Sequence, residues 1–328
     1  MVPEWMARVV SILRLARVSA AFAAVSNVWF VILWSRAHEE EARPGLLWES
    51  PLLLLLVGGA GTAVGLYSFG ATLNDLLDVS RDRALHRSRP LVSGRVSVEA
   101  ASVSVAATLI LAVLGSTVFG TRGVVLTVLL SLAILVFNVA GRFVPAVGLV
   151  LLALIYAAHS LVPNLGLRFV WPVWVIMTHA LSVGWASHAI GRKVPPISQR
   201  AVIAAGLGWI GASAVLLWVG SERSGVDGGL WPGWVDPWVA ALPAGLAAAF
   251  AIFAWRRVRE LGPGPRSAEK VARYGALWMP LYGIAWLAGE GLWVQAAVLG
   301  GLAGAAVLGL TLLREVYAVI ERPMAFKR

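Results

Sequence analysis

An all-α, polytopic bundle of membrane-spanning helices is the fold this sequence predicts, and three observations predict it. Hydrophobic residues fill 59% of the 328 positions and charged residues only 13%, with a mean hydropathy of +0.79. Soluble domains run at about 45–50% apolar and about 25% charged. A globule of the present composition could not cover itself with polar groups, so lipid is its natural solvent. Apolar runs of spanning length recur along the whole chain, and the basic residues gather in alternate connections between them.

A spanning helix needs about 20 mostly apolar residues. Ten segments qualify, near 12–34, 51–73, 97–119, 122–140, 143–163, 171–190, 201–220, 236–256, 272–289 and 291–313, which gives nine to ten spans in a single domain over 1–328. The run Val18–Trp34, behind Arg8, Arg14 and Arg17, is longer than the apolar part of a signal peptide and reads as the first membrane helix. Gly141 and Arg142 leave room only for a tight turn between the fourth and fifth spans, and Glu290 marks a similar turn between the last two. Segment 221–235, with Gly225, Gly228, Gly229, Pro232 and Gly233, reads as an irregular linker. Segment 257–271, with Pro263, Pro265 and several basic residues, reads as a loop lying along the anionic leaflet. Trp34, Trp48, Trp171, Trp231 and Trp234 stand near span ends and read as an interfacial aromatic belt. Gly58, Gly59 and Gly61 read as sites of close helix packing.

The net charge of +10 invites a nucleic-acid reading, which the distribution of charge removes. With a cytoplasmic N-terminus, ten spans place both termini inside. Of the 27 Lys and Arg, only Arg36, Arg43, Arg122, Arg168 and Arg223 then fall outside, and the other 22 fall inside. That asymmetry is what positive-inside insertion into the cytoplasmic membrane requires. There is no cysteine, which excludes disulfides, thiolate metal sites and cysteine nucleophiles. The mid-span segments are nearly free of charge, unlike those of transporters that carry polar solutes through buried ionisable groups.

One inner connection stands apart. Asn74, Asp75, Asp78 and Asp82 follow directly on the second span. On a helix, positions i, i+4 and i+8 share a face, so Asn74, Asp78 and Asp82 converge and Asp75 joins from the flank. Hard oxygen donors of this kind suit Mg²⁺, which favours carboxylates together with substrate phosphates and water. Arg83, Arg87 and Arg89 come next, and arginine grips phosphate oxygens bidentately. Carboxylate-held metal beside an arginine cluster makes a diphosphate site. The residues alone leave a second possibility open: Arg81 and Arg83 pair with Asp78 and Asp82 in a neutralised loop that only marks the cytoplasmic side.

The pattern N-D-x-x-D-x-x-x-D followed by R-x-R-P-L-x-S-G-x-x-S, spanning Asn74 to Ser97, resembles the first signature of the UbiA superfamily of intramembrane prenyltransferases at every signature position. More weakly, Asn27 resembles a polar position of the first span, and Asn138 and Arg142 fall where the family often has a tyrosine and a lysine four apart. The resemblance implies a helical bundle around a lipid-open cavity. It further implies an isoprenyl diphosphate and a hydrophobic acceptor as partners, with Mg²⁺ on Asn74, Asp78 and Asp82 and the diphosphate on Arg87.

The family's second acidic motif is missing. The corresponding stretch, Trp185 to Pro196, holds no Asp or Glu but contains His188, Arg192 and Lys193. Three readings follow. Arg192 and Lys193 replace the second metal, or the protein binds or translocates a prenyl lipid without catalysis, or the two cations are ordinary positive-inside anchors. His188, alone on an apolar helix, is more simply a hydrogen-bonded core histidine. Asp78→Asn separates the first two readings: an enzyme loses prenyl transfer, measured with a labelled isoprenyl diphosphate, whereas a carrier loses little lipid binding.

Overall fold

A computed structural model describes residues 11–13, 15–17, 21–42, 45–85, 89–224 and 229–321. Among them there is no strand, and ten long helices run in the expected order. They are α1 (Phe22–Ala37), α2 (Leu52–Leu77), α3 (Val98–Ser116), α4 (Gly120–Val139), α5 (Pro145–Ser160), α6 (Trp171–Ile190), α7 (Gln199–Arg223), α8 (Ala241–Leu261), α9 (Pro265–Gly289) and α10 (Trp293–Glu321). Five stretches are long and apolar enough to cross a membrane, one of them the 46-residue run of α3 and α4. Both chain ends, and with them the placement of the termini, lie outside the described residues.

The outward surfaces are oily. Leu53 is 74% exposed, Val103 68%, Leu207 65% and Leu308 65%, on four different helices. An apolar surface spread around the whole bundle is untenable in water and ordinary in lipid. The chain is a multi-pass membrane protein.

Lipid tails are as apolar as leucine, so close packing rather than hydrophobic burial holds such helices together. α2 and α3 meet backbone to backbone. A methyl group at Gly65 would lie 2.5 Å from the Ala112 nitrogen, and one at Gly115 would lie 2.6 Å from both the Gly58 carbonyl and the Thr62 nitrogen. Gly59 instead admits Val28 and Ile32 of α1. The glycines of α2 thus seat it between α1 and α3 and fix where its charged end emerges.

The opposite end is closed by an aromatic cluster. Trp34 is fully buried and stacks on Phe169 at 4.9 Å, and Phe169 meets Trp286 edge-on at 5.3 Å. Trp34 is therefore a core residue, not part of an interfacial belt. Trp231 and Trp234 join it from the segment read as an irregular linker, and the Trp231 indole N–H donates to the Val235 carbonyl at 2.7 Å. The acidic run Glu39-Glu40-Glu41 reads in the sequence as a solvated face, yet Glu41 is buried as well. Its carboxylate accepts the backbone N–H groups of Arg168 and Phe169 at 2.7 and 2.8 Å. Burial raises the Glu41 carboxyl above its ordinary value, against the pull of those two donors.

Segment 257–271 is not a loop. α8 runs to Leu261 and α9 starts at Pro265, so its basic residues ride on two helix ends. Proline is suited to that start because its missing N–H is not needed in the first turn.

Gly65→Val should lower the thermal unfolding midpoint in detergent, at a cost of about 1–3 kcal/mol for overpacking. Gly211→Val, which meets nothing within 4 Å, should stay within about 0.5 kcal/mol of the parent.

Candidate functional site

The site begins where α2 stops. Asn74 and Asp75 lie in its last turn, and Asp78 caps it with φ −93° and ψ 3°. A short helix, Val79–Leu85, continues the chain. The Asp78 N–H reaches the Asn74 carbonyl at 3.0 Å, and the Asp82 N–H reaches the Asp78 carbonyl at 2.8 Å. The i, i+4, i+8 relation thus survives the break in the helix. A helix C-terminus carries partial negative charge, so Asp75 and Asp78 have the wrong sign for their position, whereas Asp82 falls in the first turn of the short helix. Asp75 and Asp82 are also buried. Cations are required.

Three arginines supply them. Arg142 stands in the 3₁₀ turn Gly141–Phe143 between α4 and α5. Its Nη1 and Nη2 donate to the two carboxylate oxygens of Asp78 at 2.7 and 2.6 Å, and Nη1 also donates to Asn74 Oδ1. Arg89 donates to Asp82 and, at 3.3 Å, to Asp75. Arg17 donates to Asp75 at 2.8 Å. Asp78 and Asp82 therefore take these partners from farther away than Arg81 and Arg83. Arg17 went unrecognised in the sequence, where it counted only toward the orientation. The available signal was its place on the same predicted membrane side as Asp75.

The turn that carries Arg142 is tightly seated. A methyl group at Gly148 of α5 would lie 2.8 Å from the Gly141 carbonyl and 3.2 Å from the Arg142 Cα. The guanidinium also lies over the Phe143 ring, 4.8 Å from its centroid, a favourable cation–π distance.

Two cavities open beside this cluster. The larger, about 560 Å³, has Asp78, Arg81, Asp82, Arg89, Arg142 and Lys193 among its walls. Deeper in, it is lined by Leu149, Leu152, Val183 and Met279. The smaller, about 260 Å³, is bounded by Arg17, Asn74, Tyr67 and Asn138. Phe137, Leu152 and Tyr156 line both. Charge at one end and apolar wall beyond it suit an amphiphile with an anionic head.

The other residues singled out in the sequence divide. Asn138 faces the smaller cavity and donates its amide to the Ile134 carbonyl at 2.9 Å. His188 lines the larger cavity, with Nε2 2.8 Å from the Pro195 carbonyl, which anchors the loop bearing Lys193. Arg192 is exposed, with a left-handed φ of 49°, and is not among the wall residues. Asn27 is buried in the core, its amide 3.8 Å from the Met279 sulfur, and lines neither of the two large cavities. Arg87 lies outside the described residues.

Among the described residues, no three Asp, Glu or His side chains are gathered as a ready metal cage. The donor chemistry nevertheless fits a hard cation: the amide and carboxylate oxygens of Asn74, Asp78 and Asp82 stand on successive turns, and their present partners are themselves cations. The facing wall of α6 and its loop offers Ser187, His188 and Lys193 and no carboxylate.

The chain is thus a membrane-type helical bundle with a charged mouth on a cavity that is apolar beyond it. A model of the UbiA prenyltransferase family matches residues 28–271, and the chain belongs to that family. Its fold is similar to that of a digeranylgeranylglyceryl phosphate synthase, with a TM-score of 0.55 and 20% identity over 86% of this chain and 98% of that one. It is also similar to the apo structure of a UbiA homolog from Aeropyrum pernix K1, with a TM-score of 0.51 and 18% identity over 79% and 94% of the two chains. A UbiA homolog from Archaeoglobus fulgidus bound to GPP and Mg²⁺ matches with a TM-score of 0.49 and 17% identity over 85% and 99%. No curated relative matches the chain.

Gly148→Val should push the Arg142 turn off α5. The expected cost is about 1–3 kcal/mol, read as a lower unfolding midpoint in detergent.

Proposed function

We propose that the chain transfers an isoprenyl group from an isoprenyl diphosphate to a hydrophobic acceptor at the cytoplasmic mouth of the larger cavity. One observation carries the reading: a cluster of oxygen donors and cations opens directly onto an apolar cavity of about 560 Å³. Family membership supports the same chemistry.

Asn74, Asp78 and Asp82, with Asp75 beside them, are the residues that would hold Mg²⁺. The ion, when bound, would neutralise charge on the departing diphosphate. Arg81, Arg89 and Arg142 face the same mouth and can grip phosphate oxygens, with Arg87 joining by the family resemblance. The allylic C–O bond breaks, and its electron pair leaves with the diphosphate. An electron pair of the acceptor then bonds to the allylic carbon, and the acceptor gives up a proton at the open mouth. The apolar walls at Leu149, Leu152 and Val183 hold the prenyl chain and keep water from the reacting carbon. Tyr156, on the wall shared by both cavities, presents a ring to that carbon.

Positive charge from the α6 side takes the place of a second carboxylate-held ion. The sequence treats Arg192 and Lys193 alike, whereas the cavity wall favours Lys193. The missing carboxylate also favours a second reading, in which the protein binds or translocates a prenyl lipid without breaking the C–O bond. Release of diphosphate from geranyl diphosphate, with a lipid extract as the source of acceptor, separates the two.

Lys193→Ala should weaken geranyl diphosphate binding roughly tenfold or more, the loss of one charge-assisted hydrogen bond, and Arg192→Ala should stay within about twofold. The measurement is equilibrium binding in detergent with Mg²⁺ present. Equal effects of the two substitutions would remove Lys193 from the site.

A further inference from the structure

The carboxylates at the mouth already have cationic partners. Asp75, Asp78 and Asp82 meet Arg17, Arg89 and Arg142, three negative groups against three positive ones. Arg142 differs from the other two in which atoms it takes. It holds both oxygens of Asp78 and the side-chain oxygen of Asn74. These are the atoms assigned above to the metal. A divalent ion arriving alone therefore finds its ligands committed and a fixed positive charge beside them.

The guanidinium is itself incompletely satisfied. Arg142 Nε is buried without a hydrogen-bond partner, and a guanidinium has five N–H donors to place. The Phe143 ring under it offers a second resting contact. The group is held by acceptors on one side and has an unused donor left for another.

We propose that Arg142 is a built-in stand-in for the metal, closing the Asn74–Asp78 pair until a divalent ion and a diphosphate arrive together. The inference rests on the reading of this mouth as a metal and diphosphate site. Charge balance gives the reason. A metal alone brings two positive charges to a cluster that is already neutral. A metal with a diphosphate ester brings little net charge, and the phosphate oxygens give the displaced guanidinium a new bidentate partner. Metal and diphosphate then raise each other's affinity, and by linkage the coupling is the same in both directions.

The test uses the full chain in detergent, with Mn²⁺ as the probe ion and geranyl diphosphate as the probe anion. Free Mn²⁺ is read by its paramagnetic resonance signal, and the diphosphate by equilibrium dialysis of labelled compound. The wild type should bind Mn²⁺ weakly alone and retain geranyl diphosphate only when Mn²⁺ is present. Arg142→Met should bind Mn²⁺ alone at least about tenfold more tightly, with a smaller effect of Mn²⁺ on diphosphate retention. Arg142→Lys, which keeps the charge but not the two-pronged grip, should fall between, and it carries the test if the methionine variant does not fold. Mn²⁺ affinity unchanged or weakened in the variants overturns the stand-in role while leaving the site reading intact. No diphosphate retention in any protein, with or without Mn²⁺, overturns both.

Discussion

Three carboxylates gathered where α2 ends and a short helix begins, at the edge of an apolar cavity, are the constraint from which the rest of this structure follows. The helix end adds partial negative charge of its own, and burial removes the water that would otherwise screen it. Three crowded carboxylates at such a place call for cations beside them. The chain brings them from three places: Arg17 ahead of α1, Arg89 in the turn after the short helix, and Arg142 between α4 and α5. Each pair ties a different part of the bundle to the end of α2. An ion pair of this kind adds little net stability against an apolar alternative, so its value lies in registering those parts around one mouth.

The packing serves the same registration. Gly58, Gly65 and Gly115 let α2 lie against α3 at backbone distance, and Gly148 presses the Arg142 turn onto α5. The end away from the carboxylates is made rigid by other means, through Trp34, Phe169 and Trp286 and through the two backbone N–H groups held by Glu41. One end of the bundle is packed with rings, and the other is left open and charged. That polarity fits a site reached by molecules with a water-soluble head and a lipid-soluble tail.

The helices were legible because a bilayer imposes length and composition on each span, and the order of all ten matches the apolar runs. The acidic cluster was legible for a similar local reason, since the spacing of Asn74, Asp78 and Asp82 is written within nine consecutive positions. Its partners were not. Arg142 lies 64 positions from Asp78, and Arg17 lies 58 from Asp75; no local spacing joins them. Nearness in sequence pointed to Arg81 and Arg83 instead. Trp34 and Glu41 misled for a related reason: composition reads a tryptophan at a span end as interfacial and an acidic run as solvated, and only the distant segment between α5 and α6, through Phe169 and the backbone of Arg168, covers them. Likewise, Arg192 and Lys193 look interchangeable as a pair of cations. The backbone at Arg192 turns left-handed, and Lys193 is the one on the cavity wall.

The mouth is asymmetric: the carboxylates on its wall come from the end of α2 and the short helix, and the α6 side offers Lys193 and no carboxylate, which is what a single carboxylate-held ion facing a lysine would require. On the function proposed above, the acidic residues at the end of α2 receive an isoprenyl diphosphate through a divalent ion. Equilibrium binding of geranyl diphosphate to the intact protein, in Mg²⁺ and then in EDTA, tests it most directly. Retention in Mg²⁺ should disappear in EDTA; absence of binding in both, or binding of equal strength in both, would rule that role out.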